Sequence, residues 1–272
     1  MAREHVEIVH SPELPFGELP AEGWPVGVQC KVLSRDPDEG GLTGIVSLPA
    51  GYRRPEGHLT SRTEFILTSG SIRIGDRICE KGFYEYTPAG ATHEPWTVDE
   101  GCELVLLAPD ASPNFVPGGG EDGSDGRIRH DTERMNWTIT PIPGPPPGLF
   151  LKVLRLVEET GEAVFICGIV PRYDYPLIEY HDCVEEAFQL EGDIRMGTSG
   201  LMKPGSYFWR PPYVTHGPFY SRAGMVALIT IDSPLINHYV DDPRRTVEQN
   251  RAEALAEGPP PDYLGDQAAT GG

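Results

Sequence analysis

Long apolar runs are missing from this chain of 272 residues. The longest, such as Ala163 to Val170 and Met225 to Ile231, are strand-length and fall far short of the roughly 20 residues needed to cross a bilayer. A membrane-spanning helix is therefore not expected. Basic residues are also scarce: 22 Lys plus Arg face 41 Asp plus Glu, a net charge of −19, with a pI near 4.7. Such a surface repels phosphate backbones and anionic lipid, which argues against nucleic acid and membranes as partners. The first twenty residues lack a basic start followed by an apolar stretch, so no secretory signal is visible and a cytoplasmic location is expected. The five cysteines (Cys30, Cys79, Cys102, Cys167 and Cys183) are widely spaced, with no CxxC pair. That excludes a disulfide framework and a thiolate zinc site, leaving reduced, buried thiols.

Helical periodicity is the other absence. Only near the end does a helix suggest itself, with Asp242 as cap, Pro243 in the first turn and helix formers from Arg244 to Glu257 before Gly258. Elsewhere 32 Gly and 28 Pro punctuate short runs rich in Val, Ile, Tyr, Phe and Thr, such as Thr63 to Leu67, Glu103 to Leu107 and Val226 to Thr230. The fold class is all-β, a sandwich or barrel, and 39% hydrophobic residues suffice for its core. Gly- and Pro-rich stretches at 109–127 and 141–148 divide the chain. The expected organisation is an N-terminal domain over 1–115, a linker over 116–148, a C-terminal domain over 149–241, and a helix with a mobile tail over 242–272.

A repeat is the strongest signal. Glu64, Gly70, Gly82, Pro88 and His93 reappear as Glu185, Gly192, Gly205, Pro211 and His216, displaced by 121 to 123 residues. The first copy reads His58-Leu-Thr60-Ser-Arg-Thr-Glu64, then Gly82-Phe-Tyr-Glu-Tyr-Thr-Pro88-Ala-Gly-Ala-Thr-His93. The second reads Glu179-Tyr-His181-Asp-Cys-Val-Glu185, then Gly205-Ser-Tyr-Phe-Trp-Arg-Pro211-Pro-Tyr-Val-Thr-His216. These stretches resemble the two motifs of the cupin family: a paired histidine, a glutamate and a glycine, then a distant histidine after a Gly…Pro turn. The resemblance covers about residues 40–220. It implies two tandem cupin barrels, and a metal at His181, Glu185 and His216 and at His58, Glu64 and His93.

Strand alternation fits this ligand set, since His58, Thr60 and Glu64 share a face, as do Glu179, His181 and Glu185. Two imidazoles and a carboxylate with open positions suit Fe(II) and are also compatible with Mn, Zn, Ni or Cu. The copies depart from the pattern. Thr60 stands where a histidine belongs, and the interval from Glu64 to Gly70 is one residue shorter than usual. In the second copy Glu179 replaces the first histidine, serving as a fourth ligand or as the catalytic base. The alternative for either half is an inherited barrel with satisfied polar interiors.

Around these positions, Glu186 faces away from Glu185, solvated or salt-bridged, and Cys183 is a pocket-lining or an inert buried thiol. Tyr207 and Trp209 share one face, and Phe208 and Arg210 the other, so one pair looks inward. Arg53 and Arg54 are at the pocket mouth or on the surface. Tyr173 and Tyr175, cut off by Pro176, either donate a hydrogen bond to bound substrate or oxygen or sit at an exposed turn or edge, the second being the expectation. The resemblance implies a metal-dependent enzyme acting on a small molecule, with oxygenation of an aromatic or dicarbonyl-type compound as the leading reaction. Lewis-acid isomerisation, cyclisation or decarboxylation and non-catalytic binding are the alternatives. Self-association as a homodimer is compatible with both the helix and open strand edges.

Overall fold

The computed structural model of the chain describes residues 3–121, 126–139 and 147–257. The expected tail from 258 onward, and parts of the expected linker, lie outside these residues. Two large antiparallel sheets dominate. One runs in the order Ile128–Asp131, Phe83–Thr87, Thr63–Ile74, Cys102–Ala111, Gly40–Leu48, Gln29–Arg35 and Gly17–Glu18. The other runs Val6–His10, Ser206–Arg210, Glu185–Gly192, Met225–Ile231, Ala163–Ile169, Leu149–Leu156 and Thr138–Ile139. Alternation along these strands explains the architecture, because each presents one face to its own barrel and the other to the opposite half. In the first barrel Leu42, Leu67, Ile72, Trp96 and Leu104 pack together. In the second, Leu151, Phe165, Met196, Phe208 and Ile229 do so. Between the halves lies a third core, where Ile66, Tyr84, Val105 and Leu107 meet Val164, Ile166, Phe188, Tyr207 and Trp209.

The sheets do not divide where composition divides the chain. Val6–His10 pairs with Ser206–Arg210 of the second half, through Val6 with Trp209 and Val9 with Tyr207. Ile128–Asp131 pairs with Phe83–Thr87 of the first, through Ile128 with Tyr86 and His130 with Tyr84. Each half thus lends its leading strand to the other. Each lent strand also sends a charged side chain to a partner of opposite charge, with reversed sign. Glu7 accepts from Arg210 Nε and Nη2 at 3.0 and 2.5 Å, whereas Arg129 donates to Glu85 and Glu94.

Paired glycines fix the repeat. Gly70 and Gly192 both have φ of +72°, a left-handed conformation that costs glycine little. A Cβ there would lie 2.3 Å from the Gly101 carbonyl oxygen and 1.9 Å from that of Gly224. The helix spans Val247–Glu257, starting later than Asp242 suggests. Thr246 forms its cap: the Gln249 amide donates to Thr246 Oγ1 (3.2 Å), and the Thr246 amide donates to Gln249 Oε1 (2.9 Å), a reciprocal capping box. Asp242 instead closes the preceding turn by accepting from the Arg244 amide at 2.9 Å. No helix among the described residues is long and apolar enough to cross a membrane.

Candidate metal centre

Four predicted side chains meet in the second barrel. The short strand Ile178–Tyr180 carries Glu179, and the Glu179 and His216 backbones bond each other through both amides, at 2.9 and 2.8 Å. His181 follows directly, its carbonyl accepting from the Tyr213 amide at 2.7 Å. Glu185 opens the strand Glu185–Gly192 opposite Arg210. The four are buried or nearly so.

The two imidazoles are oriented through their outer nitrogens. His181 Nδ1 lies 3.1 Å from the Ile236 carbonyl and His216 Nδ1 2.9 Å from that of Val214. A carbonyl only accepts, so both Nδ1 atoms carry protons and, in the neutral rings, both Nε2 lone pairs face inward. Burial, then the charges of Arg210 and His181, hold the His216 pKa well below its usual value, which keeps this ring neutral. Glu179 Oε1 lies 4.0 Å from His181 Nε2 and 3.9 Å from His216 Nε2. Glu185 Oε2 lies 3.9 and 3.8 Å from the same two nitrogens. These separations are too long for hydrogen bonds; Glu179, His181 and His216 lie close enough together to share one ion, with Glu185 Oε2 beside both imidazoles.

The donor set fits a divalent cation. Glu185 Oε2 is buried without a hydrogen-bond partner, and Glu179, His181 and His216 each offer a ligand atom within 4.8 Å of the others. Two carboxylates and two inward lone pairs in an apolar cavity are expensive to keep without an opposing charge. Burial also pushes the Glu179 carboxyl up, against the opposing pull of His181. Its Oε2 accepts from Tyr175 Oη at 3.2 Å.

The adjoining cavity of about 130 Å³ is lined mainly by apolar residues, among them Phe165, Met196, Phe208 and Phe219. Phe208 and Arg210 are the inward pair, while Tyr207 and Trp209 pack between the halves. Tyr173 and Tyr175 line the cavity and are buried, contrary to the exposed turn expected from Pro176. The strand Tyr173–Tyr175 pairs with Phe219–Ser221, which turns both rings inward. Cys183 is buried outside the cavity lining, its thiol pushed up by burial. Glu186 is not solvated: it accepts from Tyr207 Oη (2.5 Å) and Thr230 Oγ1 (3.0 Å) and pairs with Arg3. Asn237 and Gln189 also reach the cavity, and neither carries a motif signal.

The first-half triad is not assembled. Glu64 points away from the barrel interior and accepts from Arg155 Nε and Nη2 at 3.0 and 2.7 Å and from the Tyr84 hydroxyl. It occupies the place of Glu186, not of Glu185, since Tyr84 binds Glu64 as Tyr207 binds Glu186. Backbone pairing gives the reason. His93 is opposite Gly57, as His216 is opposite Glu179, so residues 57 and 179, 122 apart, are equivalent. The same interval takes His181 to Leu59 and Glu185 to Thr63, and leaves His58 equivalent to Tyr180. One residue of slip moves both His58 and Glu64 off the ligand positions. His93 stays inside, but Glu85 Oε1 lies 4.0 Å from its Nδ1 and burial followed by nearby arginines drives its pKa well down. Arg54, far from surface-exposed, is 1% accessible, with its guanidinium 3.6 Å from the Trp96 ring centroid. Among the described residues, the second-half group is the single cluster of three or more metal-binding side chains.

Comparison with known proteins agrees with this architecture. Residues 5–109 match the ChrR cupin-like domain, and residues 120–237 match a domain of unknown function, DUF4437. No curated protein matches the chain. A Nostoc punctiforme protein carrying a provisional dioxygenase designation superposes with a TM-score of 0.80 at 18% identity, over 89% of this chain and 92% of its own. Bacillus subtilis oxalate decarboxylase at pH 4.6 gives 0.55 at 12% identity, over 86% of this chain and 78% of its own. A single-substitution variant of that enzyme gives 0.54 at 12%, over 86% and 79%. With its duplicated motifs and paired β-barrels, the chain has a two-domain cupin fold, and its first half carries a ChrR cupin-like domain.

Proposed function

We propose that this protein is a metal-dependent enzyme whose second barrel is the active one, and that it is a non-haem Fe(II) dioxygenase of a small, oxygen-chelating aromatic or dicarbonyl-type metabolite. The observation that carries this reading is the convergence of two inward Nε2 atoms and two carboxylates at the wall of an apolar cavity. Held there by His181, His216 and Glu185, with Glu179 as a fourth ligand or as the base, Fe(II) would supply Lewis acidity and the capacity to react with dioxygen. The chain's own residues do the rest. The apolar wall of Phe165, Phe208 and Phe219 excludes water and accepts the body of the substrate. Glu179 is within reach of a group docked at the centre, with Oε1 facing inward while Tyr175 fixes Oε2, so it can take the proton lost when the substrate chelates.

Elemental analysis of the purified chain, followed by oxygen-electrode assays with and without Fe(II), tests the reading. About one metal per chain and Fe(II)-dependent oxygen uptake are expected. Turnover under strict anoxia would replace oxygenation by Lewis-acid chemistry. Glu179→Gln separates its two roles: metal retained with turnover lost marks a base, and metal lost marks a ligand.

A further inference from the structure

Arg210 is a second, unassigned recognition element in the same cavity. It is 2% exposed and lines the cavity beside Glu185 and Phe208. Its guanidinium is held from behind: Nε and Nη2 donate to Glu7 at 3.0 and 2.5 Å, and Nη2 also meets Met196 Sδ at 3.7 Å. The planar fork is therefore fixed in direction. Nη1 makes no hydrogen bond at all. Its nearest carboxylate oxygen, Glu185 Oε2, is 3.7 Å away, beyond hydrogen-bond reach. A buried guanidinium nitrogen left without an acceptor beside a metal-type donor cluster is a costly arrangement.

We propose that Arg210 anchors a monoanionic substrate, a small apolar 2-oxo acid or similar carboxylate, with Glu7 of the exchanged strand as its positioning residue. The proposal rests on the metal-centre reading for the substrate's second oxygen, but the anchor itself is built from Arg210 and Glu7 alone. One carboxylate oxygen accepts from Nη1, and the neighbouring oxygen turns toward the histidines and Glu179. The lining selects a ligand with one carboxylate. Arg210 is the single Arg or Lys among the described lining residues, so a second carboxylate on the ligand would be buried without a cationic partner. Size limits the remainder, because a cavity near 150 Å³ accommodates about one benzene and this one measures about 130 Å³.

The test is calorimetric titration of the full chain, loaded with Mn(II) without oxygen, with 3-methyl-2-oxobutanoate and with its methyl ester. The acid is expected to bind roughly tenfold to hundredfold more tightly than the ester, the range for one charge-assisted hydrogen bond. Arg210→Gln should abolish that preference, and Arg210→Lys should restore part of it. Glu7→Gln should reduce the preference severalfold, and it serves as the second probe should Arg210→Gln fail to fold. Equal binding of acid and ester by the wild-type chain, no binding of the acid at millimolar concentration, or an unaltered preference in Arg210→Gln or Glu7→Gln would each overturn the anchor. A wild-type chain that takes up no metal would refute the metal-centre reading instead. The acid-to-ester ratio of the metal-free chain would then decide the anchor, since neither Arg210 nor Glu7 needs the ion.

Discussion

The two barrels share a fold and differ in what they do with the same strand positions. In the second, Glu179, His181, Glu185 and His216 point to one centre. In the first, the structurally equivalent positions are Gly57, Leu59, Thr63 and His93, so three of the four donors are gone. The carboxylate that sequence spacing assigns to the first site is put to a different use. Glu64 joins Arg155 across the interface, and Arg155 in turn reaches Glu162 at 2.5 Å. Both halves thus keep an interface carboxylate at this position, Glu64 with Arg155 and Glu186 with Arg3, and the second half also gathers ligands. The difference between a ligand and an interface residue is a single step along a strand.

The largest contrast is in metal content. His216→Ala removes an inward lone pair from the centre and should take metal from about one per chain to near zero, whereas His93→Ala should leave it unchanged. Elemental analysis of both variants checks this. Metal loss in the His93 variant would erase the distinction between the halves. A cooperative melting transition is expected to survive in His216→Ala, because Phe165, Met196, Phe208 and Ile229 form a core that does not include the imidazole.

Glu64→Ala inverts that pattern. It leaves the Arg155 guanidinium, 6% exposed, without its main buried partner, and breaking such a pair by removing one member costs about 3–5 kcal/mol. Chemical denaturation should therefore show a large loss of stability with metal content intact. Thr63, at the place of Glu185, should tolerate Ala with little effect on metal content.

Much of this was legible in the sequence. Duplicated Gly, Pro and His positions identify two barrels, and the second site is readable from the motif spacing, although the structure carries Glu179 on one short strand and Glu185 on the next, with His181 in the connection between them. The first site misleads because a motif counts residue types, whereas a strand counts parity. The shortened interval from Glu64 to Gly70 was the visible sign, since aligning Gly70 with Gly192 puts Thr63, not Glu64, opposite Glu185. Arg210 was visible only as one of two possible inward pairs. Its direction depends on Glu7, some two hundred residues earlier, and no local pattern encodes the strand exchange that brings them together. For Tyr175 the exposed turn outweighs the cavity-facing alternative in the sequence because Pro176 says where a strand stops and nothing about the neighbour, Phe219, that covers it.

A smaller effect separates the loops that carry the two distal histidines. In the second half the terminal helix reaches back, and Asn250 Nδ2 donates to the Tyr213 carbonyl at 2.8 Å and to Thr215 Oγ1 at 2.7 Å. Asn250 is fully buried, so Asn250→Ala leaves those acceptors unsatisfied, at a cost of about 1–3 kcal/mol. Because the loop ends at His216, metal affinity should fall roughly tenfold, as for other outer-shell contacts. Competition with a chelator measures it, and unchanged affinity would confine the helix to a packing role.

The smallest effect concerns the lent strands, which bear charges of opposite sign. Burial raises the Glu7 carboxyl, but hydrogen bonds and charge from Arg210 prevail and hold it at about 2 against an ordinary 4.5. A carboxylate depressed in the folded state binds fewer protons there than in the unfolded chain, so its stabilisation is full above about pH 4.5 and vanishes as pH falls toward 2. Glu7→Gln should be less stable than wild type at neutral pH and should converge with it across that acid window. The side chain is partly exposed, which keeps the difference modest. Arg129, the equivalent residue on the other lent strand, is the basic member of its pair and has its pKa raised, so Arg129→Gln should lower stability at neutral pH. Denaturant midpoints for the three chains between pH 7 and 2 would distinguish them, and parallel curves for Glu7→Gln and wild type would mean that Arg210 is not held by a charged Glu7.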